Sequence, residues 1–290
     1  MDIINDTLQL KKNLAGQKRI AFVPTMGNLH AGHLKLVEIA KQHADCVVVS
    51  VFVNPLQFGP NEDLDKYPRT IEADCEKLEK AGVSITFAPS VKDMYPGFDG
   101  KSLNQSMTIT PPPIASELCG ASRPGHFSGV ATIVAKLFNM VQPNVAIFGK
   151  KDFQQLFIIR KLVSQLNFPI EIIAGDTVRE SGGLAMSSRN GNFSEAEKIK
   201  AQQLYLTLRE VIETIKLKQK DFAAIEKNAA QRLSDKGWQV DYISIRSSVT
   251  LQPATTSQGS LVVLGAATLN KTRLIDNIEF CAKPLNWLQC

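Results

Sequence analysis

The amino-acid sequence predicts an α/β fold, in which a doubly wound parallel sheet is followed by a second, smaller α+β domain. Over the first 176 residues, short apolar runs alternate with amphipathic stretches, and this alternation is typical of βαβ units. After residue 176 the pattern changes to a polar, glycine-bearing loop, then helical stretches, then three strands. We therefore expect domains at 1–176 and 177–290. We expect 177–192 to act as the hinge and the smaller domain as a lid.

Strands and helices alternate as β-α-β-α-β within the first ninety residues. The run CVVVSVFVN at 46–54 is continuous and β-branched, which is typical of a parallel strand covered on both faces. The helical stretches carry apolar residues at helical spacing, and Gly82 is a stop signal for the second. We predict strands at 19–25, 46–54 and 84–89, and helices at 33–44 and 70–82.

The middle of the chain begins with an irregular segment. Residues 90–125 are rich in proline and glycine, with PPP at 111–113, and we expect a long excursion there with a short helix. Regular structure then resumes, because apolar residues recur at helical spacing from residue 127 onward. We predict helices at 127–141 and 152–166, and strands at 144–149 and 170–176.

The last third of the chain is predicted to form a smaller α+β unit. Ser194 and Glu197 form a capping-box pattern, which predicts a single long helix from there to about residue 216. A shorter helix is expected at 221–233. Three strands are expected near 240–247, 260–268 and 272–280.

Composition excludes several classes of protein. The 290 residues carry a net charge of +5 and are 44% hydrophobic, and the scattered basic residues indicate a solvated surface rather than a nucleic-acid site. Five cysteines without CxxC spacing argue against a disulfide framework or zinc site and favour a reducing compartment. The start lacks the apolar core of a signal peptide, and no apolar run is long enough to span a bilayer. We expect a cytoplasmic protein without membrane or nucleic-acid partners.

The stretch PTMGNLHAGHL at 24–34 holds two of the four histidines and two glycines. It follows the first predicted strand, at the sheet edge where open α/β folds bind ligands, and it opens a helix. A P-loop is excluded because His33 and Leu34 replace its lysine and hydroxyl residue. A zinc site is poorly supported because no third ligand is near. The remaining hypothesis is that His30 and His33 donate hydrogen bonds to phosphate oxygens.

Residues 30–33, HAGH, resemble the HxGH signature of nucleotidyltransferases and class I aminoacyl-tRNA synthetases. The longer PTMGNLHAGH is similar to PTMGALHEGH of the pantothenate synthetase (pantoate–β-alanine ligase) family. Four further blocks resemble this family in the same order: VSVFVNPLQFGPNEDLDKYPRT (49–70), FGKKDFQQL (148–156), VRESGGLAMSSRN (178–190) and NKTRLIDNI (270–278). The resemblance covers nearly the whole chain and implies a Rossmann-like fold of the HxGH type.

The resemblance implies an ATP-dependent reaction in two steps, in coenzyme A biosynthesis. The pantoate carboxylate attacks the α-phosphorus of ATP, giving pantoyl adenylate and pyrophosphate. The amine of β-alanine then attacks the acyl carbon, giving pantothenate and AMP. Such chemistry requires the protein to position the substrates and neutralise charge, and it requires no covalent nucleophile. The resemblance also implies Mg²⁺ with ATP, its protein ligands unknown, and a homodimer.

The family's site residues map onto matching positions of this sequence. The resemblance makes His33, His30 and Lys151 catalytic, with His33 as the proton donor. It makes Gln57 and Gln155 ligands of pantoate, with Gln57 also meeting β-alanine. Pocket neighbours are expected at Asn54, Tyr67 and Arg123. The implied ATP ligands are Met26, Gly27, Asn28, Leu29, His30, Ala31, Gly32, His33, Gly149, Lys150, Lys151, Asp152, Val178, Met186, Ser187, Ser188 and Arg189.

Residues 186–189 occupy the place of the KMSKS loop of related synthetases. Without the resemblance, several of these residues have ordinary explanations that stay open. Lys151 is equally explained as a surface lysine, and Asp152 as a helix cap. The two glutamines are equally explained as solvated side chains, and 186–189 as a serine-rich connector. The sequence also departs from the family's usual residues at Asn28, Ala31, Lys150, Phe153 and Asn270.

Alternatives of two kinds, a related enzyme and a non-catalytic protein, remain open. A nucleotidyltransferase would share HxGH but would not need paired glutamines at 57 and 155. A tRNA synthetase is less favoured, because we see no anticodon-binding appendage and no basic stripe. A non-catalytic ATP sensor on the same fold is the other alternative.

Overall fold

The computed structural model describes residues 1–59, 62, 64–65, 67–217, 221–255 and 259–281. It forms two compact units. The first unit comprises the described residues of Met1–Lys150 and Gln154–Asp176, and the second comprises Lys151–Phe153 and the described residues from Thr177 onward.

The first unit is a six-stranded sheet in which every pairing is parallel, in the order β1-β4-β3-β2-β5-β6. Its strands are β1 (Asp2–Ile4), β2 (Ile20–Thr25), β3 (Cys46–Val51), β4 (Ile85–Phe87), β5 (Val145–Gly149) and β6 (Glu171–Gly175). Its helices are α1 (Thr7–Leu14), α2 (Ala31–Lys41), α3 (Ile71–Lys80), α4 (Val91–Met94), α5 (Cys119–Ser122), α6 (His126–Val141) and α7 (Phe153–Gln165). The predicted doubly wound parallel sheet is confirmed.

Helices cover both faces of this sheet. Along β2, Ile20 and Phe22 join one apolar cluster while Ala21 and Val23 join another, because successive side chains of a strand point to opposite faces. This explains why the strand sequences are continuously apolar. The chain winds from β2 through β3 to β4 and then returns to pair β5 with the other side of β2. The winding direction therefore switches between β2 and β5, where such sheets bind ligands.

The second unit is an antiparallel sheet in the order β7-β8-β9 that shares an apolar core with helices. Its elements are α8 (Glu195–Ala201), α9 (Gln203–Lys216), α10 (Phe222–Ser234), β7 (Gln239–Ser247), β8 (Ser260–Leu269) and β9 (Thr272–Cys281). The predicted smaller α+β unit is confirmed. Ser194 and Glu197 form the predicted capping box. The single helix expected after it is wrong, because Gln202 separates α8 from α9.

Two further elements differ from the sequence-based expectations. No element was expected before residue 19, yet β1 pairs with β4 at the sheet edge and α1 starts from an Asp6 cap that accepts a hydrogen bond from the Gln9 N–H. A three-residue strand is too short to show a period in the sequence, and its stability comes from pairing with a neighbouring strand. Within 90–125 the structure has α4, α5 and a 3₁₀ helix at Pro113–Ser116.

Cys46, Cys75 and Cys119 are buried and are not disulfide-bonded. Cys281 is disulfide-bonded. Among the described residues, no helix combines the length and apolar character needed to cross a membrane.

A buried carboxylate ties α3 to the turn between β2 and α2. The Asp74 side chain is 0% exposed. Its Oδ2 accepts hydrogen bonds from the Asn28 N–H at 2.8 Å and the Thr70 hydroxyl at 3.0 Å, and its Oδ1 accepts from the Leu29 N–H at 2.8 Å. Lys77, one turn further along α3, donates to the Leu29 carbonyl at 2.8 Å. The conformation of the turn therefore depends on α3.

We expect Asp74→Asn to lower the free energy of unfolding by about 2 kcal/mol, in the range for hydrogen bonds to charged groups. A backbone N–H faces each carboxylate oxygen, so an amide in either orientation would point its NH₂ group at one of these donors. Urea denaturation measures the change. The control is Glu72→Gln, the same chemical change on an exposed side chain of α3, for which we expect a change within about 0.5 kcal/mol. Equal effects of the two substitutions would contradict the role of Asp74.

Candidate active site

Three of the sequence-predicted segments follow three neighbouring strands at one edge of the sheet. Met26 to His30 follow β2, Asn54 to Gln57 follow β3, and Gly149 ends β5. Because the strands are parallel, their carboxyl ends lie at the same edge. The first unit thus gathers the predicted phosphate turn and the predicted pantoate ligand Gln57 beside the point where the winding direction switches.

Left-handed backbone shapes the turn after β2. Gly27 has φ +82°, and a Cβ there would lie 3.0 Å from the Asp74 carboxylate and 3.1 Å from Val51. Asn28 follows with φ +50°, a conformation that asparagine tolerates better than most side chains. The departure from the family's usual residue at position 28 is therefore compatible with the backbone here.

The two predicted histidines cap the helix that follows. His30 is the N-cap of α2, and its Nδ1 accepts a hydrogen bond from the Gly32 N–H at 3.1 Å. His33 reaches back, and its Nδ1 accepts from the His30 N–H at 3.3 Å. The rings lie 4.0 Å apart between centroids at an interplanar angle of 30°. This is a capping box in which imidazoles replace the usual hydroxyl and carboxylate.

The capping contacts determine which ring nitrogen carries the proton. A nitrogen that accepts from a backbone N–H bears no hydrogen, so in each neutral ring the proton is on Nε2. Both rings are only partly buried. The arrangement therefore holds two Nε2–H donors at the amino end of α2, where the helix dipole favours anions.

Gln57 lies in a buried polar cluster at the end of the 3₁₀ helix Pro55–Gln57. Asn54, 1% exposed, donates from Nδ2 to Gln57 Oε1 at 3.0 Å and to the Gly129 carbonyl at 3.2 Å. Gln57 Nε2 donates to the Met26 sulfur at 3.1 Å. The predicted neighbour Asn54 thus contacts Gln57 directly.

Arg123 and His126 hold the same segment from α6 and the loop before it. The Arg123 guanidinium pairs through two nitrogens with the Glu62 carboxylate and lies 2.9 Å from His126 Nε2. Because a guanidinium only donates, His126 Nε2 accepts. Its Nδ1–H therefore donates to the Gln57 carbonyl at 2.9 Å. Tyr67, the third predicted neighbour, packs edge-on against Phe58.

Two adjacent glutamines in α7 have different environments. Gln154 is buried, accepts from the Cys119 N–H, and donates to the carbonyls of Ile114 and Glu117. Gln155, the predicted ligand, is half-buried, and its side chain makes no hydrogen bond to another described residue. The structural glutamine is therefore Gln154, which the sequence analysis did not single out.

Lys150, Lys151 and Asp152 form the 3₁₀ helix that follows β5. Lys150 pairs with Asp176 at 2.9 Å. Lys151 lies 3.8 Å from Asp152. Of the predicted ATP ligands in this segment, Lys150 thus already has a carboxylate partner close by.

The second unit holds the remaining predicted ATP ligands. Val178 accepts from the Met186 N–H at 2.9 Å, and Ser187 caps the 3₁₀ helix Ser188–Asn192 through a bond from the Arg189 N–H. A cleft within this unit is lined by residues that include Lys151, Ser187 and Arg189.

A buried ion pair, absent from the sequence predictions, secures the segment 178–187. Arg179 pairs with Asp276 at 2.6 and 2.9 Å, donates to the Gly183 carbonyl, and lies over the Tyr205 ring. Burial raises the pKa of Asp276, and the Arg179 guanidinium opposes that shift. Removing Arg179 would leave the buried Asp276 carboxylate uncompensated.

Comparisons with known proteins agree with this arrangement. A family model described as pantoate-beta-alanine ligase matches residues 2–279. The pantothenate synthetase of Methylobacillus flagellatus is 61% identical over 97% of this chain and 99% of its own length. That of Nitrosospira multiformis is 53% identical over 98% and 99%.

Solved structures are also similar. The crystal structure of pantothenate synthetase from Thermus thermophilus has a TM-score of 0.88 at 41% identity, covering 96% of this chain and 99% of that one. The pantoate-beta-alanine ligase from Francisella tularensis, complexed with beta-gamma ATP and beta-alanine, has a TM-score of 0.75 at 34% identity over 97% and 98%. The resemblance drawn from five sequence blocks is confirmed, and the chain belongs to the pantoate-beta-alanine ligase family.

Proposed function

We propose that this chain condenses pantoate with β-alanine at the expense of ATP, through a pantoyl-adenylate intermediate. The observation that carries the proposal is the pair of Nε2–H donors of His30 and His33 at the amino end of α2. Nδ1 of each ring is engaged by the backbone, so the donors keep one orientation without any ligand. Preorganised donors are most effective where negative charge grows in a transition state.

In the first step the pantoate carboxylate attacks the α-phosphorus of ATP, and pyrophosphate leaves. His33 and His30 donate hydrogen bonds to phosphoryl oxygens, and Lys151 supplies a compact positive charge. The backbone from Met26 to Gly32, together with residues 149–152, holds the nucleotide. In the second step the β-alanine amine attacks the acyl carbon, loses a proton, and expels AMP.

Gln57 and Gln155 orient pantoate, and Gln57 also contacts β-alanine. Each amide offers both a donor and an acceptor, which suits a substrate with two hydroxyls and a carboxylate. Among the described residues, the one hydrogen-bond partner of Gln57 Nε2 is the Met26 thioether, a weak acceptor, so a substrate oxygen would replace that contact favourably.

Within the second unit, Val178 and Met186–Arg189 are the proposed ATP ligands. The hydroxyls of Ser187 and Ser188 and the Arg189 guanidinium suit phosphate oxygens. Arg189 is exposed, so it can reach a ligand without first losing a buried partner.

Mg²⁺ is expected to accompany ATP. Among the described residues, no group of three His, Cys, Asp or Glu side chains could hold a metal ion. The described residues thus do not fit a protein-only magnesium site. We further propose a cytoplasmic homodimer, as the family resemblance implies.

ATP–pyrophosphate exchange tests the proposal most directly. We expect exchange of labelled pyrophosphate into ATP that depends on pantoate and does not need β-alanine, because the adenylate forms before the amine enters. With β-alanine present, AMP and pyrophosphate should be released in equal amounts. A nucleotidyltransferase would instead keep the nucleotide in its product, and a sensor would show no exchange; either result would overturn the proposal.

Two substitutions at His33 separate catalysis from helix capping. His33→Ala loses both the ring and the cap, whereas His33→Gln keeps an oxygen that can accept from the His30 N–H as in an ordinary capping box. We expect both to slow exchange at least about 100-fold, while only the alanine variant loses about 1 kcal/mol of stability. His43→Gln serves as the control and should leave both quantities unchanged. If His33→Gln exchanged at the wild-type rate, capping would be the ring's only role.

The adjacent glutamines of α7 should behave oppositely. Gln155→Ala should raise the pantoate KM in exchange about tenfold and change the unfolding free energy by less than about 0.5 kcal/mol. Gln154→Ala should cost about 2 kcal/mol of stability, because three backbone groups lose their partner. The exposed Gln165 gives the control variant Gln165→Ala, which should alter neither. An unchanged pantoate KM in Gln155→Ala would remove that residue from the pantoate site.

A further inference from the structure

Tyr95 is the largest side chain with no exposed surface in the first unit, and it does not belong to the proposed ligand set. It follows α4 and is 0% exposed. Its ring lies 6.4 Å from the Phe52 ring and 4.9 Å from the Lys136 ammonium. Its hydroxyl donates a hydrogen bond to Asn54 Oδ1. A buried tyrosine hydroxyl aimed at the neighbour of a proposed substrate ligand suggests a positioning role.

The direction of each hydrogen bond in this cluster is set by the backbone. The Leu56 N–H can only donate, and it lies 3.3 Å from Asn54 Oδ1. The Gly129 carbonyl can only accept, and it lies 3.2 Å from Asn54 Nδ2. The amide orientation of Asn54 follows from these two contacts, so Tyr95 must donate rather than accept. Burial raises the pKa of the Tyr95 hydroxyl, which keeps the donor protonated.

The orientation of the Asn54 amide determines that of the Gln57 amide. Asn54 Nδ2 has two hydrogens, one directed to Gly129 and the other to Gln57 Oε1 at 3.0 Å. Gln57 therefore has its oxygen occupied and directs its NH₂ group away from Asn54, towards the Met26 sulfur. If Asn54 flipped, its oxygen would face the Gly129 carbonyl and the Gln57 oxygen, which are both acceptors.

Asn54 has two hydrogen bonds to the backbone, 3.2 Å to the Gly129 carbonyl and 3.3 Å from the Leu56 N–H. The hydrogen bond from the Tyr95 hydroxyl is shorter than both. Without the hydroxyl, Asn54 Oδ1 would keep, among the described residues, only the long contact from the Leu56 N–H. We propose that Tyr95 is a positioning residue that, through Asn54, makes Gln57 present an N–H donor to a pantoate oxygen. This inference rests on the proposed function, since it takes Gln57 as a pantoate ligand.

The test is Tyr95→Phe, which keeps the ring and its contacts and removes only the donor. We expect the pantoate KM in ATP–pyrophosphate exchange to rise roughly tenfold, with the ATP KM unchanged. Ile133→Val is the control for a small loss of stability in the same apolar cluster, and it should leave the pantoate KM unchanged. A Tyr95→Phe enzyme with a wild-type pantoate KM, or with equal rises in both KM values, would overturn the proposal.

A double substitution separates positioning from a general structural effect. In a Gln57→Ala background, Tyr95→Phe should raise the pantoate KM no further, because the group it orients is missing. An equal rise in both backgrounds would show that Tyr95 does not act through Gln57.

A measurement without turnover distinguishes failure of this inference from failure of the proposed function. The side-chain NH₂ signals of Gln57, assigned by their loss in Gln57→Ala, should be a single pair in the wild type and should broaden or double in Tyr95→Phe. Unchanged signals would overturn the positioning role whatever the reaction is. If the signals change but wild-type exchange does not depend on pantoate, the proposed function fails and the orientation of Gln57 by Tyr95 stands without its substrate.

Discussion

The first unit's candidate site depends on one buried carboxylate. Asp74 accepts the N–H groups of Asn28 and Leu29, and these residues set the path of the chain from β2 into α2. The left-handed backbone at Asn28 carries a conformational cost that these hydrogen bonds offset. Together with the Lys77 contact to the Leu29 carbonyl, these hydrogen bonds hold the turn that leads into the amino end of α2.

Folding and the proposed chemistry use the same imidazole rings. Nδ1 of His30 and of His33 satisfies backbone donors that every helix start leaves unpaired, and this assigns the proton of each neutral ring to Nε2. An alanine substitution at either position would therefore mix a capping effect with an effect on ligand binding. Ser194 and Glu197 also form a capping box, but the Ser194 hydroxyl donates to the Glu197 carboxylate and a carboxylate repels phosphate, so capping alone does not explain two histidines.

Much of the fold could be predicted from the sequence because buried parallel strands and amphipathic helices have periods that show locally. β1 escaped prediction because three residues show no period, and the break at Gln202 escaped because no glycine or proline marks it. The HxGH turn was visible because its residues are contiguous. Asp74 was not singled out, although it falls on the apolar stripe of α3 with Ile71, Cys75 and Leu78. A charged residue on such a stripe is a signal that could have been used.

Residues that position others are harder to predict than the ligands they serve. Tyr95 lies 41 residues from Asn54, and Arg179 lies 97 residues from Asp276, so neither pair has a sequence pattern. Only the fold brings each pair together, and it buries them where an unpaired polar group is costly. The same burial that hides these contacts from sequence reasoning gives them their effect, because a hydrogen bond shielded from water holds a ligand-binding side chain in one orientation. Variants at such buried positions should therefore change substrate binding without contacting any substrate.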